Sequence, residues 1–154
     1  TGGKMCTEGT TAKVLKTSAG ADDYSNMWGA GIGMDFNHPP DPATKMPFDA
    51  VAAGIKGVSF DLDMPVVSSL RVEFPIPETE MHADGSAYWG ATKSWPASPV
   101  SVGTNTITWD KVQQPNGTIP FNPAKLLGIQ FHVPTNTSAA TPYSFCISNL
   151  KLIK

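Results

Sequence analysis

Charged residues are scarce in this sequence of 154 residues: they make up 16%, and the formal net charge is only −2. The sequence has no run of like charges, which argues against the basic surface that nucleic acids and anionic membranes attract. It also has no apolar run near the ~18–20 residues that a bilayer-spanning helix needs. We therefore expect neither a nucleic-acid partner nor a membrane partner.

Cysteine is almost absent, since Cys6 and Cys146 are the only two, one near each end of the chain. They are either two free buried thiols, because cysteine packs as a small hydrophobe, or the two halves of a disulfide. The first and last strands of an extracellular β-sandwich often lie side by side, which would let these residues bridge. We expect the Cys6–Cys146 disulfide and a secreted, extracellular protein.

Motifs of metal and nucleotide sites are missing as well. The histidines His38, His82 and His132 have no zinc-type spacing, and neither cysteine is near one in sequence. The run GAGIG at 29–33 lacks the glycine spacing and the following helix of a dinucleotide-binding loop. A strand whose backbone something approaches closely explains these glycines better. The residues therefore imply no required cofactor.

Glycine and proline are abundant by contrast, at 14 residues each, or about 18% of the chain together, against roughly 12% on average. Without low-complexity repeats, this composition predicts many turns between short strands. Runs of helix-forming residues are few, which favours an all-β protein. We predict one domain over residues 1–154, a β-sandwich or jelly roll of two antiparallel sheets.

Alternation of apolar and polar residues locates most of the strands. The clearest patterns cover 57–64, 70–76, 127–133 and 143–153, and weaker ones cover 12–17, 27–36 and 105–112. The last segment changes phase at Ser148 and Asn149, as a β-bulge would. Pro123, with Asn122 as a cap, predicts one helical turn over 123–127 that ends at Gly128.

The outward positions of three strong strands carry hydrogen-bonding groups of mixed sign. These are Asp61 and Asp63, Arg71 and Glu73, and Gln130 and His132. They are either a solvated sheet face with ordinary ion pairs or a set of donors and acceptors for hydroxyl groups.

Carboxylates in this set raise the question of glycosidase chemistry. Asp61 and Asp63 would lie about 6.5 Å apart on one strand face, and Glu73 could lie on a neighbouring strand. Two carboxylates about 5–9 Å apart are what glycoside hydrolysis needs. An open sheet face, however, lacks the apolar pocket that raises the pKa of one of them. We therefore expect no enzyme activity.

Four tryptophans have different sequence contexts. Trp109 shares the phase of Ile107 in a predicted strand and is expected in the core, while Trp28 could point either way. The segment SAYWGATKSWPAS at 86–98 contains Tyr88, Trp89 and Trp95 with almost no aliphatic residues around them. These rings are either hydrophobic plugs or a binding surface, and we expect a surface, because exposed large rings are costly otherwise.

Five runs follow one another from about residue 24 to the end: WGAGIGMDFN, PFDAVAAGIKGVSFDLD, LRVEFP, FNPAKLLGIQFHVP and FCISNLKLI. In this order they resemble the carbohydrate-binding modules of the family-11-like β-jelly-roll type, which accompany secreted, chiefly bacterial, plant cell-wall hydrolases. The resemblance implies a non-catalytic domain that holds its parent enzyme on a polysaccharide through aromatic and polar side chains of a concave sheet.

Calcium is the one cofactor that the resemblance raises. In relatives an aspartate of the closing strand helps to hold a structural calcium. The matching positions here are Ile147, Ser148, Asn149 and Leu150, so that ligand is missing. A calcium site is therefore doubtful.

Together these observations predict a monomeric module for a β-glucan, such as mixed-linkage glucan, cellulose or xyloglucan, within the same polypeptide as a glycoside hydrolase or other secreted enzyme. The alternatives are an adhesion or structural sandwich that binds protein or host glycan, and a small polysaccharide hydrolase or lyase. The predicted ligand-binding residues are Trp28, Asp61, Arg71, Glu73, Tyr88, Trp89, Trp95, Gln130 and His132.

Overall fold

The structure is a computed structural model that describes residues 3–23, 29–37, 45–66, 69–80, 95–96, 99–113 and 119–154. Its strands are β1 (Met5–Thr11), β2 (Leu15–Lys16), β3 (Asp22–Asp23), β4 (Ala30–Asp35), β5 (Gly57–Val66), β6 (Arg71–Glu73), β7 (Trp95–Pro96), β8 (Gly103–Thr108), β9 (Val112–Gln113), β10 (Gly128–Val133) and β11 (Thr141–Ile153). The helices are α1 (Pro77–Glu80) and two 3-10 turns, Trp109–Lys111 and Pro123–Lys125. None of these helices has the length and apolarity to cross a membrane.

Two antiparallel sheets form the body of the protein, as predicted. The larger sheet has the strand order β1-β11-β5-β8, and the smaller one has the order β4-β10-β6. Two short pairs, β2 with β3 and β7 with β9, add to them. The result is an all-β sandwich, because each large sheet buries one face against the other.

The core lies between these two sheets. Phe60 of β5 and Phe131 of β10 meet edge to face across the interior, with ring centroids 4.9 Å apart. The buried positions along the long strands are the apolar ones, at every second residue: Val58, Phe60, Leu62, Ile129, Phe131, Val133, Phe145 and Ile147. The alternation in the sequence therefore gives the correct inward face of these strands.

The expected bulge in the last strand is confirmed. The pairing of β11 with β5 shifts register between Ser148 and Lys151, and Asn149 takes a left-handed backbone with φ of 52°. Asparagine tolerates this conformation better than most residues because its side chain is short and polar. The predicted helical turn is also present, but shorter, as Pro123–Lys125 with the Asn122 side chain accepting from the Ala124 amide at 3.0 Å. Gly128 does not end it, because the turn stops at Leu126 and Gly128 opens β10.

The predicted disulfide is confirmed. Cys6 of β1 lies directly opposite Cys146 of β11, with a Cα–Cα distance of 4.0 Å, and the two sulfur atoms are bonded. The bridge ties the first described strand to the last across 140 residues of sequence. Neighbouring Phe145 and Ile147 point into the core, so the disulfide is on the outer face of the larger sheet.

Three sequence expectations differ from the structure. The segment 12–17 contains only the two-residue strand Leu15–Lys16, and the strand Met5–Thr11 was not predicted from the pattern. The strand predicted over 105–112 breaks at Thr108, where Trp109 begins a 3-10 turn. These segments are polar or irregular, so alternation is a weak guide to them.

Candidate functional site

The outer face of the smaller sheet brings together four of the predicted site residues. Pairing of β10 with its two neighbours places Gly31, His132 and Arg71 in one row across the sheet. Gly33, Gln130 and Glu73 form the next row. Paired residues of antiparallel strands point to the same side. We call this surface the polar face, and it consists of Gly31, Gly33, Arg71, Glu73, Gln130 and His132.

Glu73 and His132 form a bonded pair within the polar face. His132 Nδ1 lies 2.9 Å from Glu73 Oε1, and Glu73 is buried, with 4% of its surface exposed. An ionised carboxylate can only accept, so with Glu73 ionised the hydrogen lies on Nδ1. Glu73 was expected to point outward to solvent, but its side chain is buried and its carboxylate is bonded to His132. A quarter of the His132 side chain, 25%, remains exposed.

The position of the His132 ring depends on Gly29, just before β4. A Cβ atom at Gly29 would lie 2.5 Å from His132 Nε2 and 2.2 Å from the carbonyl oxygen of Val133. Gly29 also has a positive φ of 81°, which side chains disfavour. The imidazole therefore reaches from β10 towards the start of β4, over backbone that carries no side chain.

Gln130 is the central residue of the polar face, on the middle strand of the sheet. It is half-buried. Within the described part of the chain, no hydrogen bond engages its side-chain amide. The amide offers two donor hydrogens and one acceptor oxygen, the combination that a pair of sugar hydroxyls needs. Arg71, in the neighbouring row, is half-buried and already has a partner within the protein.

Asp61 does not belong to this surface, which corrects its placement with Arg71 and His132. Its strand, β5, is in the larger sheet, and Asp61 points away from the core because its neighbours Phe60 and Leu62 are buried there. Asp61 and Glu73 are thus on opposite outer faces of the sandwich, and β6 is not a neighbour of β5. Sequence alternation indicates which residues point outward, but not the sheet that a strand joins.

The carboxylate of Asp61 is satisfied by neighbouring strands. Asn149 Nδ2 donates to its Oδ2 at 2.6 Å, and Thr104 Oγ1 donates to its Oδ1 at 2.6 Å. These two hydrogen bonds, with that of Asn149 the larger, lower the pKa of Asp61 below its ordinary value. Asp63, further along β5, pairs with Lys4 at 3.1 Å. Sequence analysis missed Asn149 as a partner, although the phase change at this residue marks where β11 departs from regular pairing.

The hydrogen bonds of Asp61 and the ion pair of Asp63 also concern the question of a calcium site. Calcium binds oxygen ligands, whereas the atom that Asn149 directs at Asp61 is an amide donor. Lys4 supplies a positive charge to Asp63 at the adjacent outward position. Among the described residues, no three carboxylate, histidine or cysteine side chains are grouped as metal ligands would be. In this arrangement the Asp61 carboxylate is held by hydrogen bonds from Asn149 and Thr104, and the Asp63 carboxylate is paired with Lys4.

The predicted aromatic contacts lie largely outside the described residues. Trp28, Tyr88 and Trp89 fall there, and their proposed roles stay predictions. Trp95 lies in β7, which pairs with β9 and is next to β6 of the polar face.

Trp109 packs against the core, as expected, although it lies in a 3-10 turn. Its ring centroid lies 5.4 Å from that of Phe74 and 5.9 Å from that of Phe121. Its Nε1 donates to the Ile55 carbonyl at 2.9 Å. The indole is thus held on both its apolar and its polar side, as an interior tryptophan usually is.

No family model matches the chain, and no curated protein matches it. Among solved structures, the chain is similar to the solution structure of CtCBM11, with a TM-score of 0.44 and 16% sequence identity. The similarity covers 99% of this chain and 87% of that one. At this TM-score, function has to be inferred from this chain's own residues. In the order of its sequence runs the chain resembles the carbohydrate-binding modules of the family-11-like type.

Proposed function

We propose that this protein is a non-catalytic carbohydrate-binding module whose polar face binds a plant cell-wall polysaccharide, with a β-glucan such as mixed-linkage glucan, cellulose or xyloglucan as the ligand. The module would belong to a secreted enzyme and hold it on its substrate. The observation that carries the proposal is the half-buried Gln130, whose side-chain amide has no hydrogen bond within the described part of the chain. It lies beside Gly33, which has no side chain, and next to the row of His132 and Arg71.

The chemistry of the polar face suits a polysaccharide better than a charged ligand. It combines one arginine with a buried glutamate, so neither sign of charge dominates. Gln130 supplies donors and an acceptor on the surface, and His132 is partly exposed beside it. A pyranose has a rim of hydroxyl groups that both donate and accept, which such side chains can address in pairs.

The positions of the carboxylates support a binding role and not hydrolysis. A glycosidase needs two carboxyl groups facing one cleft, and one of them must have a raised pKa. Asp61 has a lowered pKa and lies on the larger sheet, while Glu73 is bonded to His132 on the smaller sheet. Asp63 forms an ion pair with Lys4. No two of these three groups face each other across a common cleft.

The disulfide fits the proposed extracellular location. Disulfides persist in oxidising compartments, such as the outside of the cell, and are rare in the cytosol. The Cys6–Cys146 bridge joins the outer faces of two strands, one of them an edge strand. A secreted cell-wall enzyme would expose its modules to the same environment.

Affinity electrophoresis of the purified protein in gels that contain one polysaccharide each tests the proposal. We expect retardation by at least one β-glucan and none by a polysaccharide-free gel. Gln130→Ala should weaken binding about 2–10-fold, the equivalent of one hydrogen bond of ~0.5–1.5 kcal/mol. Thr106→Val, on the outer face of the larger sheet, is the control and should bind as the wild type does.

The same samples are assayed for reducing-sugar ends and unsaturated products. Release of either would identify a hydrolase or lyase. Binding to protein or host glycans with no retention by any plant polysaccharide would identify an adhesion domain. In both cases the proposed function is wrong.

A further inference from the structure

Three successive outward positions at the start of β4 and just before it, 29, 31 and 33, are glycine, and the next outward position is Asp35. The positions between them are Ala30, Ile32 and Met34. Glycine in a strand costs conformational entropy and provides no side chain to pack, so it needs a reason. The backbone packing explains glycine at positions 29 and 31. The same packing does not explain glycine at position 33.

Gly29 and Gly31 are required by the fold. Gly29 has a positive φ of 81°, and a Cβ there would lie 2.2 Å from the Val133 carbonyl oxygen. A Cβ at Gly31 would lie 2.0 Å from the carbonyl oxygen of Phe131. Both neighbours are backbone atoms of β10, which cannot move aside without breaking the sheet. Any larger residue at these two positions would therefore disturb the pairing of β4 with β10.

Gly33 has no such requirement. Among the described residues, a Cβ there would meet only Gln130 Cγ at 3.6 Å and the Ile129 carbonyl oxygen at 3.9 Å, which are ordinary van der Waals contacts. Its φ is not in the left-handed region that favours glycine. Gly33 is exposed and sits in the row of Gln130 and Glu73 on the polar face. The fold would accept a side chain here, and would gain strand propensity from a β-branched one.

We propose that Gly33 is a specificity-determining residue, kept free of a side chain so that a polysaccharide chain passes over the backbone of β4 and reaches the Gln130 amide. This inference rests on the proposed function and adds the position of the ligand. The polysaccharide lies against β4, with a sugar ring over the exposed peptide at Gly33 and a hydroxyl group within reach of Gln130. An extended chain fits this strip because successive outward positions of a strand lie about 6.5 Å apart along it.

The test is Gly33→Val, with Gly33→Ala as the smaller change. Both proteins should melt at or above the wild-type temperature, because the added Cβ makes ordinary contacts with the described residues and because either residue restricts the unfolded chain more than glycine does. Binding of the β-glucan that retards the wild type should fall about 10-fold or more for Gly33→Val, since one added methylene already discriminates on this scale in a binding site and valine adds three carbons. Gly33→Ala should fall less.

The matched control is Gly3→Val, since a Cβ at Gly3 meets no atom of the described residues within 4 Å. Gly3 lies just before β1, which is a strand of the larger sheet. It should bind and melt as the wild type does. Unchanged binding by Gly33→Val, alongside a binding wild type, overturns this inference and leaves the proposed function standing. A clear drop in melting temperature for Gly33→Ala also overturns it, because the fold would then require the glycine. A wild type that binds no polysaccharide overturns the proposed function itself.

Discussion

His132 Nδ1 on the central strand of the smaller sheet is hydrogen-bonded to the buried carboxylate of Glu73 on the neighbouring strand, at 2.9 Å. Glu73→Ala would remove the acceptor and leave the half-buried Nδ1 donor without this partner. We expect a loss of about 1–3 kcal/mol in the free energy of unfolding, measured by chemical denaturation. Glu73→Gln retains an acceptor oxygen and should lose less. If Glu73→Ala is as stable as the wild type, the pair contributes nothing to the fold.

The same pair changes what is expected of His132. From the sequence, an outward histidine could be removed with little effect on stability. In the structure, His132→Ala would leave the Glu73 carboxylate buried without its partner, and unpaired buried carboxylates are costly. His132→Ala should therefore lose both stability and binding, which makes Gln130→Ala the cleaner test of the polar face.

The alternating strands explain how much could be predicted from the sequence. In β5 and β10 the apolar residues occupy every second position, so the inward face follows directly, and the bulge at Asn149 follows from the break in that pattern. Alternation does not predict which strands become neighbours in a sheet. Asp61 and Gln130 both point outward, yet they lie on opposite faces of the sandwich because β5 and β10 belong to different sheets.

Hydrogen bonds between side chains of different strands could not be predicted from the sequence either. The bonds of Asp61 to Asn149 and of His132 to Glu73 join residues 88 and 59 positions apart. No local pattern encodes such a distance, since sheet order and register decide it. The disulfide was the exception, because two lone cysteines leave only one possible pairing.

The Cys6–Cys146 disulfide should stabilise the protein mainly through the unfolded chain. It closes a separation of 140 residues, for which the loop-entropy model gives about 4–5 kcal/mol as an upper figure. The bridge is on the outer face, so the double variant Cys6→Ser/Cys146→Ser should still fold, with a lower denaturation midpoint. Intact mass of the non-reduced wild type should be about 2 Da below the dithiol mass. A dithiol mass under oxidising conditions would contradict the bridge.

Asp61 should make the stability of the larger sheet depend on pH. Hydrogen bonds from Asn149 and Thr104 lower its pKa in the folded state below the ordinary value of 3.8. Their contribution is therefore complete above that value and is lost as the pH falls through the lowered folded pKa. Asp61→Asn should melt at a lower temperature than the wild type at neutral pH, and the difference should shrink below about pH 4. A difference that is constant down to pH 2 would rule this out.

Removal of calcium should leave the protein unchanged. Asn149 turns its amide nitrogen towards Asp61 and donates a hydrogen bond to it, so its amide oxygen, the atom that calcium would need, does not face Asp61. Melting curves in excess chelator and in millimolar calcium should coincide. A rise in melting temperature with added calcium would contradict this prediction. Asn149→Asp tests the same point, since two facing carboxylates should repel each other and lower the melting temperature in chelator.

Trp109 provides a reference for an interior tryptophan. It contacts Phe74 and Phe121, and its Nε1 is bonded to the Ile55 carbonyl. Trp109→Ala should lose about 3–5 kcal/mol of unfolding free energy, because it opens a cavity among these rings. Binding by the fraction that remains folded should be unaffected, since Trp109 is not part of the polar face.

Trp89 and Trp95 are predicted to behave differently from Trp109. If they form a stacking surface for sugar rings, Trp89→Ala and Trp95→Ala should fold normally and lose affinity. One stacked ring at ~1–2 kcal/mol corresponds to a loss of about 5–30-fold at each position. The location of Trp95 in β7, next to β6, puts one of these residues near the polar face.

A melting curve and a binding titration on each variant test whether Trp89 and Trp95 bind sugar or pack in the core. A ring in the core would show the stability loss expected for Trp109. Ligand should also shift the tryptophan fluorescence of the wild type, and the shift should be smaller in both variants. If both variants melt early, the rings are structural, and Trp28 becomes the next residue to test as the stacking partner.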